Sequence, residues 1–115
     1  MKPVWAYLRL TEKQFTWQVL ETAELFKWRA THFRPARTLK GWRTSISGDA
    51  GFPNLTLARP PRVIFAELKV GKGKLSPDEE IWREILEQCP GIEYYLWTPE
   101  DWEEIELVLR LKEER

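Results

Sequence analysis

An acid and a base two residues apart, Glu67 and Lys69, stand in Phe65-Ala66-Glu67-Leu68-Lys69, within a run that reads as a β-strand. Side chains alternate faces along an extended chain, so Glu67 and Lys69 share one face and Leu68 takes the other. Two β-rich runs, 54–58 and 62–70, flank Arg59-Pro60-Pro61, which reads as a tight reversal. Pairing the runs as a hairpin brings Asn54 near Glu67. An amide oxygen, a carboxylate and an ammonium then lie on one surface at the mouth of a sheet, a set suited to a metal ion and a phosphate. The start of the second run is apolar on both faces, with Val63 and Phe65 on one and Ile64, Ala66 and Leu68 on the other, as in a sheet covered on both sides. Charge at Glu67 and Lys69 in such a strand costs free energy unless something binds it. A Glu-x-Lys by itself also describes an ordinary exposed ion pair; the combination around it is what makes it specific.

The elements that must position these groups follow in order. Residues 2–10 are apolar without a clear period and suit a short extended arm. Thr11 with Gln14 forms a capping box, and Phe15, Val19, Ala23 and Phe26 recur at helical spacing, which predicts a helix over 12–28. Glu12 falls in its first turn, where favourable interaction with the helix dipole already accounts for it. Alternation around Ala30, His32 and Phe33 predicts a strand over 29–34, and residues 35–53, rich in Gly and Pro, read as a long loop. Ser76-Pro77-Asp78-Glu79 is a second capping box, with Pro at the first helical position. It opens a helix over 77–88 with Ile81, Trp82, Ile85 and Leu86 inward; the cap explains Glu79, which is assigned no chemistry. Residues 92–97 form a buried strand. Thr98-Pro99-Glu100-Asp101 caps a last helix over 99–111, with Trp102, Ile105, Val108 and Leu109 inward.

At 115 residues the chain makes one domain, residues 1–115, with 43% hydrophobic and 31% charged residues, an ordinary globular composition. Most of the seven Trp are expected in the core. No apolar run approaches a membrane span and residues 1–10 carry no signal-peptide pattern, so no membrane partner is expected. One Cys, Cys89, excludes an internal disulfide and fits a reducing cytoplasm. A single His and a single Cys exclude a zinc site of the usual type. The net charge of zero hides an asymmetry: residues 1–77 carry 14 Lys/Arg against 5 Asp/Glu, and residues 78–115 carry 4 against 13. From Lys27 to Arg43 there are six cations (Lys27, Arg29, Arg34, Arg37, Lys40, Arg43) and no acid. Such a run is often just a solvated face. Its uniform sign, with His32 and Trp42 interleaved, favours a surface that tracks phosphates, and Gly71-Lys72-Gly73-Lys74 adds a basic loop.

Gly51-Phe52-Pro53-Asn54, Glu67-Leu68-Lys69, the leading helix with Glu12 and Gly73-Lys74-Leu75-Ser76-Pro77 together resemble the PD-(D/E)XK nucleases. Within them the pattern is most similar to the VRR-NUC branch and the archaeal-type Holliday junction resolvases of phages and archaea, over nearly the whole chain. The resemblance implies an α/β, restriction-endonuclease-like core, a mixed central sheet flanked by helices in the order αβββαβα. It also implies a Mg²⁺- or Mn²⁺-dependent endonuclease acting on branched DNA, most simply a four-way junction. Asn54, Glu67 and the carbonyl of Leu68 would hold the metal, Lys69 would orient or activate water, and Glu12 would face a second metal or its waters. Arg34, Arg37, Lys40, Arg43, Lys72 and Lys74 would contact DNA. A two-fold homodimer would nick both strands, with the arm at residues 3–8 in the interface or, alternatively, as an edge strand of its own sheet. A domain with no appended sequence reader is expected to select DNA by shape, in the cytoplasm, that of a host cell if phage-encoded. Two positions depart from the family. Asn54 replaces its metal-binding Asp, and Glu79 stands where the branch commonly has Gln. Three accounts fit Asn54: a variant made inactive, a natural site relying on Glu67 and Glu12, or a natural branched-DNA binder that does not cut.

Overall fold

The computed structural model describes residues 9–33, 36–39, 41–43 and 47–113. Helix α1, Glu12–Leu25, begins at the expected capping box: Gln14 N–H donates to Thr11 Oγ1 at 3.1 Å and Thr11 N–H to Gln14 Oε1 at 2.9 Å. It ends three residues before the predicted boundary. Lys27 is in the left-handed region at φ 71°, and the Trp28 and Lys27 amides turn back to the carbonyls of Ala23 and Glu24 at 2.9 and 3.0 Å. That pair of bonds is a Schellman stop, built here without glycine.

Strands β1 (Arg29–His32), β4 (Leu55–Arg59), β5 (Arg62–Leu68) and β6 (Glu93–Trp97) form one sheet in the order β1-β4-β5-β6. The first three are antiparallel neighbours, and β6 runs parallel to β5. Pro60-Pro61, joined by a cis peptide bond, makes the β4–β5 reversal where the sequence places it. A second, two-stranded sheet pairs β2 (Ala36–Thr38) with β3 (Gly41–Arg43). This hairpin lies in what reads as loop, because three-residue strands leave too little alternation to detect. Gly41, at φ 103°, supplies the backbone its turn requires.

Apolar positions on alternate residues of β4 and β5 (Leu55, Leu57, Ile64, Ala66, Leu68) are fully buried. They pack against Phe15, Val19 and Ala23 of α1 and against Trp102, Ile105, Val108 and Leu109 of α3 (Trp102–Arg110), which follows a 3-10 turn at Pro99–Asp101. The opposite face of β5, with Val63 and Phe65, is only half-buried. Helix α2 (Pro77–Glu87) lies on that side, so the cover is uneven rather than complete. Of the four α2 residues expected inward, only Leu86 is buried; Ile81 and Ile85 are 55% and 51% exposed, because the helix leans on the β6 edge and a loop instead of on a broad sheet face. The expectation of a buried β6 is likewise corrected, since it is the edge strand and Leu96 faces outward. Trp28, Trp97 and Trp102 are core, whereas Trp17 is exposed.

The end of the sheet remote from Glu67 is fastened by charge. Arg62, 3% exposed, makes a two-pronged pair with Glu93 at 2.7 and 2.6 Å and donates to the carbonyls of Val108 and Leu111. Arg59 donates to the carbonyls of Phe26, Leu109 and Leu111, and both guanidiniums lie over the Trp28 ring. Two cations thus satisfy carbonyls left open at the C-terminus of α3, where the helix dipole favours positive charge.

Candidate functional site

The β4–β5 register pairs Leu55 with Ala66, so its continuation sets Asn54 opposite Glu67 and Pro53 opposite Leu68. Side chains complete what the ladder does not. Asn54 N–H donates to Glu67 Oε2 at 3.3 Å, and Leu68 N–H donates to Asn54 Oδ1 at 3.3 Å. Pro53 has no N–H to give Leu68, so the Leu68 carbonyl, on the same strand edge as its amide, gains no ladder bond from that neighbour.

Glu67 and Lys69 share a face, as alternation requires. Lys69 Nζ is 3.8 Å from Glu67 Oε1, an electrostatic contact longer than a hydrogen bond, and lies closer to Glu79, at 3.1 and 3.3 Å from its two carboxylate oxygens. Glu79 and Glu67 thus flank the same ammonium, near enough for each to shift the other's titration. The capping role is present too, with the Ser76 amide donating to Glu79 Oε1 at 2.8 Å. Capping therefore does not exhaust Glu79: the helix start that it caps also delivers its carboxylate to the Lys69 ammonium beside Glu67. The sequence signal was the carboxylate itself, at a position where a cap needs only Glu or Gln.

Burial, foremost, pushes the Glu67 carboxyl up to about 8, and the neighbouring charge of Glu79 and the hydrogen bond between the two add to the rise; Lys69 and the Asn54 amide oppose it. Burial also acts to raise Glu79. The Ser76 amide, Lys69 and the bond with Glu67 outweigh it and hold Glu79 below the usual carboxylate range. The two carboxyls are thus pushed apart, Glu67 upward and Glu79 downward, as neighbouring acids are. Tyr94, aligned with Phe65 across β5–β6, is raised by burial and then by the charge of Glu67, and stays a phenol.

The loop that carries Asn54 is held against α2. Trp82 Nε1 donates to the Ala50 carbonyl at 3.0 Å, and the Phe52 ring meets the rings of Trp82, Phe65 and Phe33 edge-on at 4.9, 5.6 and 6.1 Å between centroids. Gly51, at φ 93°, passes so close to the first turn of α2 that a Cβ there would come within 2.6 Å of the Asp78 backbone. Only glycine permits this approach.

The other expected residues take various places. Glu12 is exposed on α1, which packs on the Leu68 face of the sheet, and no hydrogen bond or ion pair joins it to Asn54, Glu67 or Lys69. The register places Arg29 beside Ala58, at the end of the sheet remote from Asn54, with Lys27 just before it. The later part of the six-cation run leaves β1 at Phe33, whose amide donates to the Asn54 carbonyl at 2.8 Å. Arg37 and Arg43 lie on β2 and β3; Arg34, Lys40 and the arm at residues 1–8 lie outside the described residues. Lys72 and Lys74 are exposed between Lys69 and α2. Among the described residues no three His, Cys, Asp or Glu side chains gather as a metal cage, and no helix is long and apolar enough to cross a membrane. No family model matches the chain, and no curated protein matches it.

Proposed function

We propose that the chain is a metal-dependent, structure-selective DNA endonuclease of the PD-(D/E)XK type, acting on four-way junctions as a two-fold pair. The observation that carries this reading is the convergence of Glu67, Lys69 and Asn54 at one end of β5, beside the exposed Lys72 and Lys74. Mg²⁺ takes oxygen ligands, keeps several waters and needs only one or two protein carboxylates, so a small donor set with Glu67 and the Leu68 carbonyl suits it where a closed cage would not. When bound, a divalent ion supplies charge neutralisation on the phosphate and a more acidic water. Glu67 is the principal anionic ligand. Lys69, with its ammonium held at the carboxylates, faces the reacting phosphate and offsets the charge that develops there. The lysines of the following loop fix the backbone of the nucleic acid without reading its bases.

A specific observation favours a second reading, a branched-DNA-binding module that does not cut. Asn54 is neutral, and its amide oxygen is already engaged by the Leu68 amide. A labelled synthetic junction incubated with Mg²⁺ separates the two. The unsubstituted chain and its Asn54→Asp form are expected to nick it, the latter faster, and Glu67→Ala to abolish nicking in both backgrounds while leaving metal-free binding intact. Binding without nicking by either form establishes the second reading, and a chain that neither binds nor nicks overturns both.

A further inference from the structure

We propose that Glu79 is the second protein carboxylate of the divalent-cation site, partnering Glu67 across the start of α2 while Asn54 serves as a structural bracket. This rests on the metal-dependent reading above and assigns its ligands. The amide at position 54 brings no charge, and its oxygen is held by the Leu68 amide at 3.3 Å, which fastens the end of β4 to β5. A hard cation therefore finds its anionic oxygens elsewhere. Glu79 is the second carboxylate at the Lys69 ammonium: its two oxygens lie 3.1 and 3.3 Å from Nζ, and Glu67 Oε1 lies 3.8 Å from the same atom. Two carboxylates gathered at one ammonium repel each other unless enough positive charge lies between or beside them. Lys69 fills part of that need: with both acids ionised, the three side chains leave a net charge of −1, which a divalent cation would reverse. Position 79 is also fixed from outside the site. The Ser76 cap, the Gly51 contact with Asp78 and the bond from Trp82 to Ala50 tie the first turns of α2 to the loop that ends at Asn54. The carboxylate is thus presented by two elements braced against each other, as a ligand site requires.

Mn²⁺ binding, measured calorimetrically with no DNA present, tests the assignment on the full chain, Glu79→Gln, Asn54→Asp and the double form Asn54→Asp/Glu79→Gln. Gln keeps the capping acceptor, and an unchanged melting temperature without metal verifies the fold. Glu79→Gln is expected to weaken Mn²⁺ binding by about tenfold or more, and the double form to recover it, because the second carboxylate has then moved to position 54. Undiminished binding by Glu79→Gln overturns the proposal, as does binding by Asn54→Asp where the unsubstituted chain has none; that second result leaves the metal-dependent reading standing with a different ligand set. Uptake by none of the four forms overturns both. A measurement that needs no substitution accompanies these: Mg²⁺ should shift the side-chain carboxyl ¹³C resonances of Glu67 and Glu79 together, and a shift of Glu67 alone removes Glu79 from the site.

Discussion

Glu67 is 4% exposed, yet it belongs to a contact that includes an acid, a base and an amide. Its raised pKa has a consequence for stability. Between the ordinary carboxylate value and about 8, the folded chain holds a proton on Glu67 that the unfolded chain releases. The folded state then binds more protons, so stability falls as pH rises through this window, by up to about 1.4 kcal/mol per pH unit. Glu79 titrates below the usual range and contributes its change in more acidic solution, outside the window. The metal-free chain should therefore melt at progressively lower temperature from about pH 5 to pH 8, and Glu67→Gln should flatten that decline. A decline of the same steepness in Glu67→Gln would assign it to other groups.

The elements are joined at the two ends of the sheet by different means. At the site end, rings and one glycine hold loop 49–53 on α2; at the other end, buried ions bind β5 and β6 to α3. Glu93 matters there more than a surface acid would. It takes both prongs of Arg62 and the Tyr95 hydroxyl at 2.7 Å, and Arg62 holds it well ionised despite the burial that opposes this. Removing one partner of a buried pair leaves the other charge uncompensated. Glu93→Gln is expected to cost about 3 kcal/mol in denaturant unfolding, from that mechanism alone. Its effect on junction binding should be no more than its effect on the folded fraction, since the pair is remote from Glu67 in the β5 register.

Over the whole molecule, the surplus of cations in residues 1–77 and of acids in residues 78–115 does not divide by face, since Asp78, Glu80, Glu84 and Glu87 are exposed on α2, on the site side of the sheet. Lys72 and Lys74 are exposed next to the site, while Glu103, Glu104 and Glu106 are exposed on α3, which covers the other face of the sheet. If the basic segments track phosphates, log K should fall linearly with log[salt], with a slope of about −0.9 for each duplex phosphate neutralised. Replacing Lys72 and Lys74 by Ala should flatten the slope by up to about two such contacts, and replacing Arg34, Arg37 and Arg43 together should flatten it further. Lys27→Ala/Arg29→Ala serves as the contrast. Those two lie at the remote end of the sheet, and their loss should leave the slope near that of the unsubstituted chain.

Local chemistry settles what is local. The Thr11 and Ser76 caps, the proline reversal, the shared face of Glu67 and Lys69 and the inward stripe of α3 all depend on neighbours within four residues or on a two-residue period, and all are legible in the chain. Contacts between elements depend instead on sheet order and on which face each helix takes, and no residue spacing encodes these. The parallel placement of β6 carries α2 to the Phe65 face, which brings Glu79 to Glu67 and leaves Ile81 and Ile85 exposed despite their helical period. The antiparallel run of β1 sends Lys27 and Arg29 to the opposite end from Asn54. The strand's own alternation fixed that an acid and a base would meet; tertiary packing alone decided which second acid would join them.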